Sequence, residues 1–249
     1  VIKARPSNES KEGPNGPSSF HAPLLAAALT LVLPQPCHAD QASTIFGLTC
    51  NQLIIKHKYK EAMAMANQEL RVHPNQASAF VIRGWIYSLY DEPEKALKEW
   101  DQALKIDPAG SFELFSNRYR TYLDQGKFDL AIQDITKALS LRPDEWVLYK
   151  ERGQVHSVLK QYDLAIKDIT KAISLNSREP LCYQRRADCY RAAGQYGKAA
   201  ADYTTAIKLC PNQLLFYSLR ADCYDKIGKH SDAVADRKKV ESSMRETGF

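Results

Sequence analysis

Apolar and small residues recur three and four places apart along Phe128–Leu141 (FDLAIQDITKALSL), a spacing that gathers them on one side of a helix. The same order of apolar and polar positions returns 34 residues later in Tyr162–Leu175 (YDLAIKDITKAISL), and after a further 34 in Tyr196–Leu209 (YGKAAADYTTAIKL). Extending the frame backwards finds KALKEWDQALKIDP at Lys95–Pro108, with one extra loop residue at Ala109–Gly110, and a weaker copy, YKEAMAMANQELRVHP, at Tyr59–Pro74. Forwards, HSDAVADRKKV at His230–Val240 begins a last copy that diverges. A fixed period of this length means stacked repeats, each too small to bury its apolar face alone.

Each period holds two helical patterns. The first places apolar residues on one stripe, as in Tyr183, Ala187 and Tyr190 or Tyr217, Ala221 and Tyr224. A turn follows, marked in three copies by Gly126, Gly194 and Gly228. The second helix carries small residues around a larger one: Ala199, Tyr203 and Ala206, or Ala131, Ile135 and Ala138. Small residues at that spacing let helices approach closely while the larger one fills the gap. Pro74, Pro108, Pro143 and Pro211, with Ser177 in the equivalent place, close the period, because proline cannot continue a helix.

A 34-residue period with Trp/Tyr, Gly/Ala, Tyr, Ala, Phe/Tyr, Ala and Pro in that order resembles the tetratricopeptide repeat. The pattern covers residues 43–247, as repeats near 43–76, 77–111, 112–145, 146–179, 180–213 and 214–247; the first matches only in its second helix. The resemblance implies an all-α fold, a right-handed superhelical solenoid of about six helical hairpins. Residues Ser231–Glu246 read as the cap, because Arg237 replaces the central aromatic and an end repeat needs a polar outer face.

An arginine stands at one fixed place in five first helices: Arg83, Arg118, Arg152, Arg186 and Arg220. Sixteen residues after each stands an acid: Glu99, Asp134, Asp168, Asp202 and Asp236. The spacing predicts a ladder of structural ion pairs across the hairpins, guanidinium fork to carboxylate. A groove of arginines for phosphate is the competing reading, and the paired acids argue against it by cancelling the field.

Cysteines and histidines fit the repeat in the same way. Cys189 and Cys223 occupy equivalent places, Cys182 precedes Cys189 by two turns, and no Cys-x-x-Cys occurs, so packing is expected and no metal site or other cofactor. His156 stands where other copies have Tyr87, Tyr122, Tyr190 and Tyr224. No Ser/His/Asp spacing, phosphate-cradling glycine loop or His-Glu-x-x-His motif is present, and the chain is not expected to be an enzyme.

In proteins that share this repeat the concave face is contributed by fixed positions of the first helices. Carried onto this chain, the resemblance nominates Val81, Trp85 and Leu89, then Arg120, Lys150, Gln154, Gln184, Asp188, Arg191 and Asp222 as groove-binding candidates. Trp85 with Val81 and Leu89 would form an apolar anchor, unless the first repeat covers it. Relatives that bind the acidic C-terminus of cytosolic chaperones place Lys and Arg where Leu215 and Leu219 stand here, so that clamp is broken.

Residues 1–39 differ from the rest. A Pro/Ser/Gly/Asn-rich opening leads into the apolar run Ala22–Leu33 (APLLAAALTLVL) and then PQPCHA, which reads as an export signal cleaved after Ala39. The run is shorter than the roughly 20 residues of a membrane-spanning helix. Export to a bacterial periplasm or the exterior is one reading; the second half of a transit sequence to a chloroplast thylakoid lumen is the other. The net charge of +5, from 34 basic and 29 acidic residues, gives no reason to expect nucleic acid. The expected function is a non-catalytic interaction scaffold that holds a protein or peptide ligand, or a partner helix, in the groove. Two alternatives are an assembly or stability factor for a membrane-associated complex and an accessory regulatory domain of an enzyme.

Overall fold

A computed structural model describes residues 41–246, and within them every regular element is an α-helix. The helices alternate as first and second members of six pairs, the all-α repeating architecture expected from the period. The leader proposed at residues 1–39 lies outside the described residues. The chain divides into two compact units at Gln125 and Gly126.

The first unit holds α1 (Gln41–Ile55), α2 (Tyr59–Val72), α3 (Ala77–Leu89), α4 (Pro93–Ile106) and α5 (Phe112–Asp124). Its core joins Phe46, Cys50 and Ile54 of α1 to Ala62 and Ala66 of α2 and to Ala79, Ile82 and Ile86 of α3. Trp100 of α4 is fully buried, and its indole N–H donates to the carbonyl of Val81 at 3.2 Å. Only glycine fits opposite it: a Cβ on Gly84 would stand 2.5 Å from Trp100 Nε1. The largest core side chain thus faces the smallest residue, and that match sets how near α3 and α4 lie.

The second unit holds α6 (Phe128–Leu141), α7 (Trp146–Val158), α8 (Tyr162–Leu175), α9 (Pro180–Ala192), α10 (Tyr196–Leu209), α11 (Leu214–Lys226) and α12 (His230–Glu246). The interfaces around α8 and α10 follow the small-large-small pattern read from the sequence. Ala165, Ile169 and Ala172 of α8 pack with Cys182 and Cys189 of α9; Ala199 and Tyr203 of α10 pack with Ala187 of α9 and Cys223 of α11. Here too a glycine meets the large residue, since a Cβ on Gly153 would lie 2.7 Å from Ile169 Cγ1.

One backbone conformation recurs through the described residues. The fifteenth place of every repeat is left-handed: Gly126, Gly194 and Gly228 at φ 68°, 74° and 77°, and His57, Asp91 and Lys160 at 59°, 58° and 59°. The next residue's N–H then folds back five residues, as Gln195 to Tyr190 O at 2.8 Å and Gln161 to His156 O at 2.8 Å, closing the carbonyl end of the first helix. Glycine marks this turn in three copies, and the other three adopt the same turn despite a side chain.

Candidate functional site

The recurrent arginines decide which polar groups remain for a ligand. Arg152 donates from Nε and Nη2 to the two carboxylate oxygens of Asp168 at 2.7 and 2.8 Å. Arg186 does the same to Asp202 at 2.8 and 2.8 Å, and Arg220 to Asp236 at 2.8 and 2.6 Å. The bond to the acid raises each of these guanidinium pKa values above the usual arginine value. Arg83 reaches Glu99 by a single bond, Nη2 to Oε1 at 2.6 Å, and leaves Arg83 Nε and Glu99 Oε2 buried without a partner. The pair of Arg118 with Asp134 spans the two compact units and stays an expectation.

Aromatic rings enclose these cations. The guanidinium carbon of Arg220 lies 5.6 Å from the ring centres of both Tyr217 and Tyr224, and that of Arg186 lies 5.9 and 6.0 Å from Tyr183 and Tyr190. At Arg152, where His156 replaces the second tyrosine, the imidazole Nε2 stands 3.8 Å from Asp168.

A second set of partners was not foreseen. The third donor of each fork, Nη1, bonds a hydroxyl of the preceding second helix: Arg152 to Thr136 at 3.0 Å, Arg186 to Thr170 at 3.1 Å and Arg220 to Thr204 at 2.9 Å. In the first unit Arg118 Nη1 meets Asp101 at 3.1 Å, the residue in the same place of its own repeat. The threonines recur every 34 residues, a signal visible in the sequence that a search for charged partners passes over. These arginines therefore hold the repeats together and are spent as ligands for anything else.

Among the groove candidates of the first unit, Val81 departs from the expected open face. It is buried, because its carbonyl receives Trp100 and the close approach at Gly84 draws that segment inward. Trp85 and Leu89 are half-buried and rest on the core beneath them, which includes Phe46 and Cys50 of α1. Two cavities share Trp85. One, about 250 Å³, has Gly47, Asn51, Val81, Glu113 and Leu114 in its wall; the other, about 220 Å³, has Leu89, Asn117, Arg120 and Asp124. The first repeat therefore contributes to the wall around Trp85 and leaves the indole half accessible.

In the second unit Lys150 keeps only 14% of its side chain exposed, with Nζ 3.2 Å from Glu151 and 5.6 Å from the Trp146 ring centre. Gln154 and Gln184 are half-buried. Asp188 accepts the hydroxyl of Tyr203 at 2.6 Å and lies 3.5 Å from Arg191, so it is partly committed inside the fold. Burial and that bond push the Tyr203 phenol well above its ordinary value. At the equivalent place Asp222 lies 3.4 Å from Arg237, whose shorter bond, 2.6 Å, goes to Asp225. Asp188, Arg191, Asp222 and Asp225 line one open cavity of about 600 Å³. Arg237 and His230 hold the Asp225 carboxyl below its usual range.

The described cysteines carry no disulfide, and burial pushes the thiols of Cys50, Cys182 and Cys223 up to about 11, away from reactivity. No cluster of His, Cys, Asp or Glu among the described residues is arranged to hold a metal ion. No described helix is long and apolar enough to cross a membrane.

Two family models match, both described as tetratricopeptide repeat, at residues 118–180 and 180–213. A comparison with curated proteins finds no match. Among solved structures, one described as a functional characterization of Pseudomonas aeruginosa pilF is similar at 18% identity and TM-score 0.65, over 82% of this chain and 92% of that one. MamA 41-end from Desulfovibrio magneticus RS-1 is similar at 18% identity and TM-score 0.62, over 70% and 97%. YrrB, described as a TPR protein with an unusual peptide-binding site, is similar at 18% identity and TM-score 0.64, over 70% and 90%. At these identities the likeness is one of fold.

Proposed function

We propose that this tetratricopeptide-repeat chain is a non-catalytic interaction scaffold that binds an extended peptide segment of a protein partner, with Trp85 as its anchor. One observation carries the reading: a half-buried indole is shared by two cavities in the first unit, with Leu89 beside it. An aromatic ring seated on a rigid core and open on its outer side offers large contact area at small entropic cost. The ladder supports the same reading from the other direction, since it engages the repeated charges and leaves the variable positions to differ from copy to copy. YrrB's peptide-binding site makes a peptide the ligand to test first.

The candidate binding residues of the first unit are Trp85, Leu89 and Arg120, with Val81 as floor; those of the second unit, taken by itself, are Gln154, Gln184, Asp188, Arg191 and Asp222, with Lys150 mostly covered. The six repeats run from 43 to 247, and residues 1–39 act as an export leader.

Selection of a displayed random peptide library on the purified chain tests it. Peptides with an apolar consensus should emerge, and their binding should drop at least about tenfold in Trp85→Ala with helicity unchanged. Selected peptides that bind Trp85→Ala equally well would refute the assignment.

A further inference from the structure

The third place of each repeat is buried in five copies: Ala79, Leu114, Leu148, Cys182 and Phe216 are all at or below 4% exposure. In the remaining copy the residue is Ile45, and it is 63% exposed. Leu48 and Ile55 stand with it at 49% and 42%. At 100° per residue the three leave α1 within a sector of about 80°, turned away from Phe46, Cys50 and Ile54 on the core side. From Gln41 to Ile55 the helix carries no charged residue. A helix apolar on both sides is a helix meant to be covered.

We propose that the cover is a second copy of this chain, the two α1 helices packing against each other about a two-fold axis. A further repeat is a poor fit to this face. It would present a residue to be bonded by the arginine of the next first helix, and α1 has Thr49 at that place, its hydroxyl turned back to Ile45 O at 2.8 Å. The place where the other repeats bury Ile86, Thr121, Val155, Cys189 or Cys223 is held by exposed Gln52.

Head-to-tail stacking on α12 of another copy fails on charge. Beside Val234, that surface presents Arg237, Lys238, Glu241 and Arg245, which an uncharged apolar partner would desolvate without compensation. Another α1 has neither defect. Its Ile and Leu stripe meets its own image, as an isologous contact requires, and no like charges oppose each other. Gln52 becomes an asset on the axis, since an amide is both donor and acceptor and can pair with its symmetry mate.

Sedimentation equilibrium of the full chain tests the proposal. The wild type should be a dimer at micromolar concentration. Ile45→Lys combined with Leu48→Lys should raise the dimer dissociation constant at least about 100-fold with helical circular dichroism retained. Should that pair of lysines unfold α1, Leu48→Gln, which adds no charge, should still weaken the dimer measurably. Val234→Lys on α12 should leave it intact. A chain that is monomeric throughout overturns the proposal and points to residues before Gln41 as the cover. A dimer that survives the α1 changes, or dissociates with Val234→Lys, overturns it in favour of another face.

Discussion

Thr204 Oγ1 accepts a hydrogen bond from Arg220 Nη1 at 2.9 Å, joining α10 to α11. The same guanidinium holds Asp236 of α12 with its other two nitrogens. One side chain thus ties three successive helices, with all three of its nitrogens engaged in doing so.

Removing such a fork should be costly. The side chains of Arg186 and Asp202 are 18% and 10% exposed, so Arg186→Ala strands a mostly buried carboxylate and should lower stability by about 3 kcal/mol. Thr170→Val, which removes one neutral acceptor, should cost about 1 kcal/mol. Urea unfolding of the two variants checks the ranking, and equal losses would mean that the ion pair is not the dominant bond.

The left-handed turn predicts a gain from substitution. Lys160 is exposed and adopts φ 59°, where a Cβ is unfavourable by about 1 kcal/mol. Lys160→Gly should therefore stabilise by up to about that amount, and Gly194→Ala should destabilise by a similar amount. Thermal melts of both, with opposite displacements of the midpoint, are the check.

Gly84 and Trp100 should behave as a coupled pair. Gly84→Ala places a methyl 2.5 Å from the indole nitrogen and should cost about 1–3 kcal/mol through overpacking. With Trp100→Phe in the background the smaller ring relieves the clash, and the penalty of the alanine should fall by about 1 kcal/mol or more. A double-mutant cycle on chemical unfolding reads the difference; additive effects would contradict the close approach.

Asp225 sets a pH dependence at the C-terminal end. Its folded pKa lies below the ordinary 3.8 because Arg237 and then His230 bond it, so its contribution is complete above that value and disappears as pH falls through the lower folded value. The acid limb of the stability curve should become shallower in Arg237→Ala. An unchanged limb, followed by circular dichroism from neutral to strongly acidic pH, would remove Asp225 from the account.

The period and the arginine-to-acid spacing were legible because they are properties of the repeat itself: residues sixteen apart face each other across the hairpins that hold Arg83, Arg152, Arg186 and Arg220. The threonines repeat in three successive copies, Thr136, Thr170 and Thr204. A neutral hydroxyl carries no charge pattern to match against a cation, so spacing of charges does not reveal it. Val81 escaped for another reason. Its position belongs to the open face by analogy, but Trp100 is the only tryptophan at its place in the repeat, and the space it takes turns a wall residue into a floor residue. Asp188 looked available in the sequence and is half engaged by Tyr203, because a central aromatic that happens to be tyrosine brings a hydroxyl into reach.

The hydroxyl behind and the carboxylate ahead of Arg152, Arg186 and Arg220 make one 34-residue segment a self-contained cassette for recombination. If residues 146–179 were copied in tandem, Thr170 of the first copy would precede Arg152 of the second in its ordinary register, and Asp168 would follow. A gene could lengthen by whole periods without leaving any of these groups unmatched, whereas a break at any other interval would leave a carboxylate or a guanidinium alone. The extra residue at Ala109–Gly110 marks where such a gene tolerates error: it falls in the connection between repeats, and Arg118 still finds Asp101 at the expected place.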